Sequence, residues 1–131
     1  MDTLTERPWD LPNGASYSCC ILSYARGHTH LEIEISNGDN TKYLIFEGVE
    51  YFSIPNVWKG ADFMVAPQNE CLKIIHWLQR YTDIPDEYLA SKFRLFVLAS
   101  FVPESSLPQV AILAQSAGLS DQKSDYALSK E

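Results

Sequence analysis

Residues 28–36 alternate between two faces, with polar and apolar side chains in strict alternation from His30 onward, and this alternation restricts the fold more than any other feature of the chain. A strand places successive side chains on opposite faces, so alternation predicts one buried face and one polar face. The apolar face holds Leu31, Ile33 and Ile35. The polar face holds His30, Glu32 and Glu34. We therefore expect a strand with one face in a hydrophobic core.

The loop after this strand can be assigned from the pairing that it produces. A two-residue turn at 37–38 would place Ile33 opposite Lys42 and would lose the apolar contact. A four-residue loop, 37–40, instead sets Ile33 opposite Leu44. The same register sets Leu31 opposite Phe46, Glu34 opposite Tyr43 and His30 opposite Glu47. This second register keeps the apolar residues of both strands on the core side, and we favour it.

The whole chain is predicted to form one α+β domain, residues 1–131. An irregular arm, 1–16, precedes an antiparallel β-meander of about four or five strands at 17–66. The apolar period then changes from two to 3.6 residues, which predicts a helical half of about three helices at 67–118. A polar, mobile tail is expected at 119–131. The helical half should cover the apolar face of the sheet, because that face needs a second layer.

Three segments of the second half fit helical spacing. The first has one apolar stripe made of Cys71, Ile74, Ile75 and Leu78. The second opens at Pro85, and its stretch 93–100 fits either a helix or a buried strand, of which we favour the helix. The third, 108–117, has an apolar stripe that stops at Gly118, a residue common just after a helix end.

Composition and charge restrict the partners of the chain. Its 131 residues are 46% hydrophobic, and 10 Lys and Arg against 17 Asp and Glu leave a formal net charge of −7. Such a surface repels a phosphate backbone or an anionic membrane. No apolar run approaches the roughly 20 residues that cross a bilayer. We therefore expect neither nucleic acid nor a membrane as a partner.

The cysteines indicate the compartment. Cys19, Cys20 and Cys71 make a poor disulfide framework, because two of the three are adjacent. Neighbours on a strand point to opposite faces, so Cys19 and Cys20 cannot easily hold one ion. We interpret all three as small buried or half-buried residues in a reducing environment. Because the first residues also lack an apolar signal run, the sequence predicts a cytoplasmic protein.

Two histidines and a carboxylate on the first polar face could hold a metal. His28, His30 and Glu34 follow the spacing His-x-His-x-x-x-Glu, which puts them on one side of a strand. This spacing resembles the core of the first metal motif of the cupin superfamily. The resemblance implies a small metal-binding enzyme in which these three residues ligate a divalent transition metal.

The resemblance covers seven residues. The glycines that flank the motif in cupins are replaced here by Leu22 and Thr41, and the second cupin motif, with its further histidine, has no counterpart. The other interpretation is that His30 pairs with Glu47 across the hairpin and that the glutamates form an exposed, solvated face. We favour this second interpretation.

Other catalytic signatures are absent from the sequence. It has no glycine-rich phosphate loop, no nucleophile elbow, no Cys-x-x-Cys and no His-Glu-x-x-His. We therefore predict neither catalytic residues nor a cofactor, and we favour a noncatalytic protein over an enzyme.

The remaining hypothesis is a small binding or regulatory protein that acts through protein–protein contacts, with another protein or as a homodimer. Tyrosine and tryptophan are frequent anchors at such interfaces. Tyr43 is expected on the outer face beside the glutamates, and Trp58 lies in a predicted turn, so we select these two as partner-binding residues. The uncharged segment 17–25 would make an open strand edge suited to self-association.

Overall fold

The computed structural model describes residues 7–25, 27, 29–79, 81–98 and 110–122. In these ranges the chain forms nine strands and two α-helices, with one 3-10 turn before the first strand. In chain order these elements are β1 (Ser18–Ala25), β2 (His30–Asn37), β3 (Asn40–Glu47), β4 (Tyr51–Ser53), β5 (Val57–Lys59), β6 (Phe63–Val65), α1 (Gln68–Trp77), α2 (Asp86–Lys92), β7 (Arg94–Leu98), β8 (Ala111–Ala114) and β9 (Ser116–Ser120).

The strands make two antiparallel sheets that pack face to face. The five-stranded sheet has the order β5-β1-β2-β3-β9, and the four-stranded sheet has the order β4-β8-β7-β6. The ring of Phe46 on β3 lies 5.5 Å from the ring of Phe96 on β7 and 5.8 Å from that of Phe63 on β6, between centroids. Both helices cover the opposite face of the four-stranded sheet, where they pack on Leu95, Val97 and Leu113. The layers are therefore sheet, sheet and helices.

The predicted register of the β2–β3 hairpin is confirmed. Ile33 lies opposite Leu44, and the other predicted pairs in β2 and β3 include Leu31 with Phe46 and Glu34 with Tyr43. The loop itself is shorter than predicted, because Asn37 and Asn40 still pair with each other. Gly38, the first loop residue, has φ +63°, as the first position of a type II′ turn requires.

The prediction of one β-meander followed by a helical half with three helices is wrong, because the strands of 17–66 divide between two sheets and only two helices follow in the described residues. The described part of the region predicted as the third helix, 110–117, contains β8 and the start of β9, which continues to Ser120 within the predicted tail. The backbone N–H of Gln115 bonds to Glu47 O between these strands, where the chain crosses from the four-stranded sheet to the five-stranded sheet. Two short strands with apolar residues on both faces reproduce the spacing of a helical stripe, and tertiary pairing decides between them.

The preference for a helix at 93–100 is wrong as well. β7 occupies Arg94–Leu98 and pairs with β6 on one side and β8 on the other. Phe96 faces the core between the sheets, whereas Leu95 and Val97 face the helices. A strand buried on both faces gives a continuous apolar run without alternation, which is why periodicity could not identify it.

The ends of the chain are only partly described. Trp9 and Leu11 of the predicted arm pack against the core, and the ring of Trp9 lies 5.7 Å from that of Phe63. Residues 1–6 of the arm and 123–131 of the predicted tail lie outside the described residues. Neither helix of the described chain is long and apolar enough to span a membrane.

Gly48 and Gln115 pack together where two connections cross between the sheets. Gly48 follows β3 with φ +66°, and a Cβ built on it would lie 2.6 Å from Gln115 Cγ. The backbone N–H of Glu50 bonds to Leu113 O beside this contact. The absence of a side chain at Gly48 is therefore what lets the two connections pass each other.

We expect Gly48→Ala to lower the free energy of unfolding by about 1 to 2 kcal/mol, because alanine is strained in the left-handed region and would clash with Gln115. Urea denaturation measures the change. Gly118→Ala is the control, since nothing lies within 4 Å of its added Cβ and its φ lies outside the left-handed region. That control should stay within about 0.5 kcal/mol of the natural protein. An equal loss of stability in both variants would contradict the conclusion that the contact between Gly48 and Gln115 requires a glycine.

Candidate functional site

The predicted metal site is only partly described, because His28 lies outside the described residues. His30 and Glu34 both lie on β2, four residues apart, which corresponds to about 13 Å between their Cα atoms on a strand. Among the described residues, no three His, Cys, Asp or Glu side chains are grouped so that they could hold a metal ion. The site of His28, His30 and Glu34 therefore stays a prediction.

His30 lies beside two other carboxylates. Its Nε2 atom is 3.4 Å from Glu32 Oε1, and its Nδ1 atom is 3.8 Å from Glu47 Oε2. The predicted approach of His30 and Glu47 across the hairpin is thus confirmed. The side chain of Glu47 is 65% exposed, whereas those of His30 and Glu32 are 4% and 0% exposed. The expectation that the glutamates form an exposed face is therefore wrong for Glu32.

The burial of this polar pair follows from the place of β2 in the sheet. β2 is the central strand of five, so the side chains of β1 and β3 border its polar face on both sides. Ser23 of β1 and Ile45 of β3 lie directly opposite Glu32. The Ser23 hydroxyl is buried and has no hydrogen-bond partner among the residues that the structure describes, which is uncommon in a folded protein. This part of the outer face is a closed polar cluster and not a solvated surface.

The three cysteines are free thiols, and all three are buried or half-buried, as the sequence predicted. Cys19 and Cys71 are buried and Cys20 is half-buried. Burial raises the pKa of the Cys19 thiol from 9.0 to about 12 and that of Cys71 to about 11. Burial and the nearby Glu34 carboxylate raise the pKa of Cys20. Raised pKa values leave little thiolate near neutral pH, so these thiols are poor nucleophiles.

Tyr43 and Trp58, the residues predicted to bind a partner, are both half-buried. Trp58 packs against the core, and its Nε1 atom donates a hydrogen bond of 2.9 Å to Gly60 O. Tyr43 lies on β3 between Glu34 and Ser120 of the neighbouring strands. A binding role for these two residues stays a prediction.

The largest exposed apolar side chains near the helices lie elsewhere, between residues 77 and 88. Trp77 is 67% exposed and Tyr88 is 54% exposed. Tyr81 and Ile84, in the connection between α1 and α2, are 39% and 37% exposed. We call these four residues the aromatic surface. Their exposure was not predicted, although Trp77 falls outside the apolar stripe of its helix and could have drawn attention to it.

A series of contacts links three of these residues, Trp77, Tyr81 and Tyr88, through their neighbours. The ring of Trp77 lies 5.7 Å from that of Tyr51, and the hydroxyl of Tyr81 donates to Glu50 at 2.8 Å. The ring of Tyr81 lies 5.7 Å from that of Phe93, and Lys92 Nζ lies 5.8 Å from the ring centroids of both Phe93 and Tyr88. α1 and α2 are also joined by the 2.9 Å contact between His76 and Asp86.

Four carboxylates lie close to the aromatic surface in the sequence or in contact with it. They are Glu50, Asp83, Asp86 and Glu87. Glu50 and Asp86 have the partners given above, Tyr81 and His76. Asp83 and Glu87 are exposed and make no side-chain hydrogen bond or ion pair within the described part of the chain. The surface thus combines exposed rings with carboxylates that are open to solvent.

We expect Glu32→Ala and His30→Ala each to lower the free energy of unfolding by about 3 kcal/mol, because either change leaves the other member of the buried pair without this contact. Glu47→Ala should stay within about 0.5 kcal/mol, since its side chain is 65% exposed. Urea denaturation of the three variants compares them. A small loss for Glu32→Ala would contradict the burial of this pair.

The buried thiols predict a fall in stability at alkaline pH. In the unfolded chain they ionise near pH 9.0, whereas in the folded chain the pKa values are about 12 and 11 for Cys19 and Cys71. Their contribution is therefore complete below pH 9.0 and is lost as pH rises through the folded values. The double variant Cys19→Ala/Cys71→Ala should lose less free energy of unfolding above pH 9.0. An identical decline in both proteins would refute this assignment.

No protein-family model, curated protein or solved structure matches this chain significantly. Its function is therefore inferred from its own side chains. The polar pair of His30 and Glu32 is closed to solvent, and the thiols are mostly buried. Of these three features, the aromatic surface is the one that a partner can reach.

Proposed function

We propose that this chain is a noncatalytic cytoplasmic protein that binds another protein through the aromatic surface. The observation that carries the proposal is the exposure of Trp77, Tyr81, Ile84 and Tyr88 within one short segment. Single exposed apolar residues are ordinary on protein surfaces, but grouped ones mark interaction sites. Tryptophan and tyrosine are also the residues that most often contribute large binding energies at interfaces.

The rings are held in place before any partner arrives. Trp77 packs edge-on against Tyr51, with 80° between the ring planes. Tyr81 is held at both ends, by Glu50 at its hydroxyl and by Phe93 at its ring. A side chain that is already ordered loses less conformational entropy on binding. This order supports a binding role for the exposed rings.

The backbone between the helices supports the same proposal. Gln79 and Tyr81 both have φ of +57°, a conformation that bulky residues rarely adopt. Holding a residue there costs about 1 to 2 kcal/mol, and such strain is concentrated at functional sites. Gln79 directly follows the C-cap residue of α1, where a left-handed residue is common, so the strain that the helix end does not explain is that of Tyr81.

The free thiols support the cytoplasmic location. Cys19, Cys20 and Cys71 form no disulfide with one another, as is usual in a reducing compartment. The homodimer stays open as a form of the same proposal, with a second copy as the partner. The open edge expected at 17–25 is partly closed, because β5 pairs with residues 18–20 of β1.

The double variant Trp77→Ala/Tyr88→Ala should lose the partner while it keeps the fold, because both side chains are more than half exposed. Tagged protein is incubated with extract of the native cell, and the recovered proteins are compared between variants. Val57→Ala is the control, since Val57 is 69% exposed but lies on β5, in the other sheet. Sedimentation of the purified protein tests the homodimer in parallel.

A protein that is recovered with the natural chain and with Val57→Ala, and lost with the double variant, supports the proposal. A dimer that the double variant dissociates supports its homodimer form. Recovery of the same proteins by all three chains, together with a monomer in sedimentation, would contradict it.

A further inference from the structure

We propose that the occupant of the aromatic surface is a cationic segment of a partner protein, rich in arginine or lysine. This inference rests on the proposed function and specifies its partner. Residues 77–88 contain three carboxylates and one arginine, Arg80, and the next cation along the chain is Lys92. Glu50 adds a carboxylate on the side of Tyr81. The charge that complements this surface is positive.

Exposed rings beside carboxylates bind cations in two ways. The face of a tryptophan or tyrosine ring attracts an ammonium or guanidinium group, and tryptophan does so most strongly. The structure contains an example, because Lys92 Nζ lies 5.8 Å from the centroid of Tyr88. Trp77, the most exposed of the four residues, can accept a cation from outside in the same manner.

The carboxylates supply the second contact. Asp83 and Glu87 are exposed and make no side-chain hydrogen bond or ion pair within the described residues. An arginine placed over a ring can also bond a carboxylate through its planar N–H groups, whereas an apolar side chain leaves both carboxylates without a partner. Rings and unpaired carboxylates in one area therefore favour a cationic segment over an uncharged one.

A second copy of this chain fits the surface less well. Each copy carries a net charge of −7, and a symmetric contact would bring the same carboxylates face to face. Like charges across an interface oppose association and select against that partner. The charge of the surface thus distinguishes a basic partner from a homodimer at this site.

The test uses a short synthetic peptide that alternates arginine with leucine, and a matched peptide in which neutral citrulline replaces each arginine. Affinities come from calorimetric titration of the purified full chain, and nuclear magnetic resonance locates the contact through the Trp77 indole N–H. We expect the arginine peptide to bind at least about tenfold more tightly than the citrulline peptide. The resonance shifts that the arginine peptide causes in the protein should be largest at Trp77.

Two pairs of substitutions separate local recognition from general attraction. Asp83→Asn/Glu87→Gln should weaken the arginine peptide about fivefold. Asp10→Asn/Asp39→Asn removes the same charge from two other exposed positions and should leave the affinity within about twofold. Trp77→Ala/Tyr88→Ala should weaken binding at least about tenfold.

Any of the following results would contradict the inference of a cationic partner. Equal binding of both peptides at Trp77 would reject a cationic partner and leave the proposed binding function intact. Equal weakening by both acidic pairs would show attraction by net charge alone. No binding of the arginine peptide, or binding that the ring variants do not change, would also overturn the inference, whereas loss of the native partner in the extract experiment tests the proposed function separately.

Discussion

The four-stranded sheet is buried on both faces, and the position of every other layer follows from that burial. One face meets the five-stranded sheet through Phe46, whose ring contacts rings of β6 and β7. The other face meets the helices through Cys71, Ile75 and Leu89. Because these inward residues fix the rotation of both helices, Trp77 and Tyr88 are left on the outside. The aromatic surface is thus a consequence of how the helices dock on the sheet.

The closed polar cluster gives the five-stranded sheet a different kind of constraint. Burying His30 and Glu32 is unfavourable unless each finds polar partners, and the contact between them offsets part of that cost. A slip of β2 by one residue would move this pair into the apolar core and bring Leu31 and Ile33 outside. The pair therefore raises the free energy of alternative registers of the central strand. This effect is a structural reason for the presence of the two residues.

The sequence was informative where a single strand face decides the structure. The alternation along β2 and the requirement that Ile33 meet Leu44 were sufficient for the hairpin register. It was misleading where both faces are buried, because β7 and β8 have no alternation to distinguish them from helices. Local spacing at 110–117 matched a helix, yet the change of sheet at Gln115 depends on contacts with Gly48 that lie far away in sequence. Such a contact has no local signature.

The same contrast between local pattern and tertiary contacts explains which parts of the candidate site the sequence could predict. Polarity placed His30, Glu32 and Glu34 on one face, but only the neighbours of a central strand determine that Glu32 is fully buried and Glu34 half-buried. Trp58 was predicted to lie in a turn, and it instead lies on β5 and packs against the core. The exposure of Trp77 depends on which side of α1 meets the sheet. The apolar stripe of α1 follows from the sequence, but whether another element covers the opposite side of the helix does not.

An exposed aromatic surface can bind a partner, but it also favours self-association, because grouped apolar side chains promote contacts between copies. The carboxylates at Asp83, Asp86 and Glu87 counter that hazard, since each copy then repels another at this position. Those charges cannot repel a cationic partner, and they attract it before any ring is touched. One set of charges can therefore keep the free protein apart from its own copies and select the charge of the proposed partner. Strain at Tyr81 fits this view, because stability given up in the connection keeps a tyrosine at the surface where a basic chain would meet it.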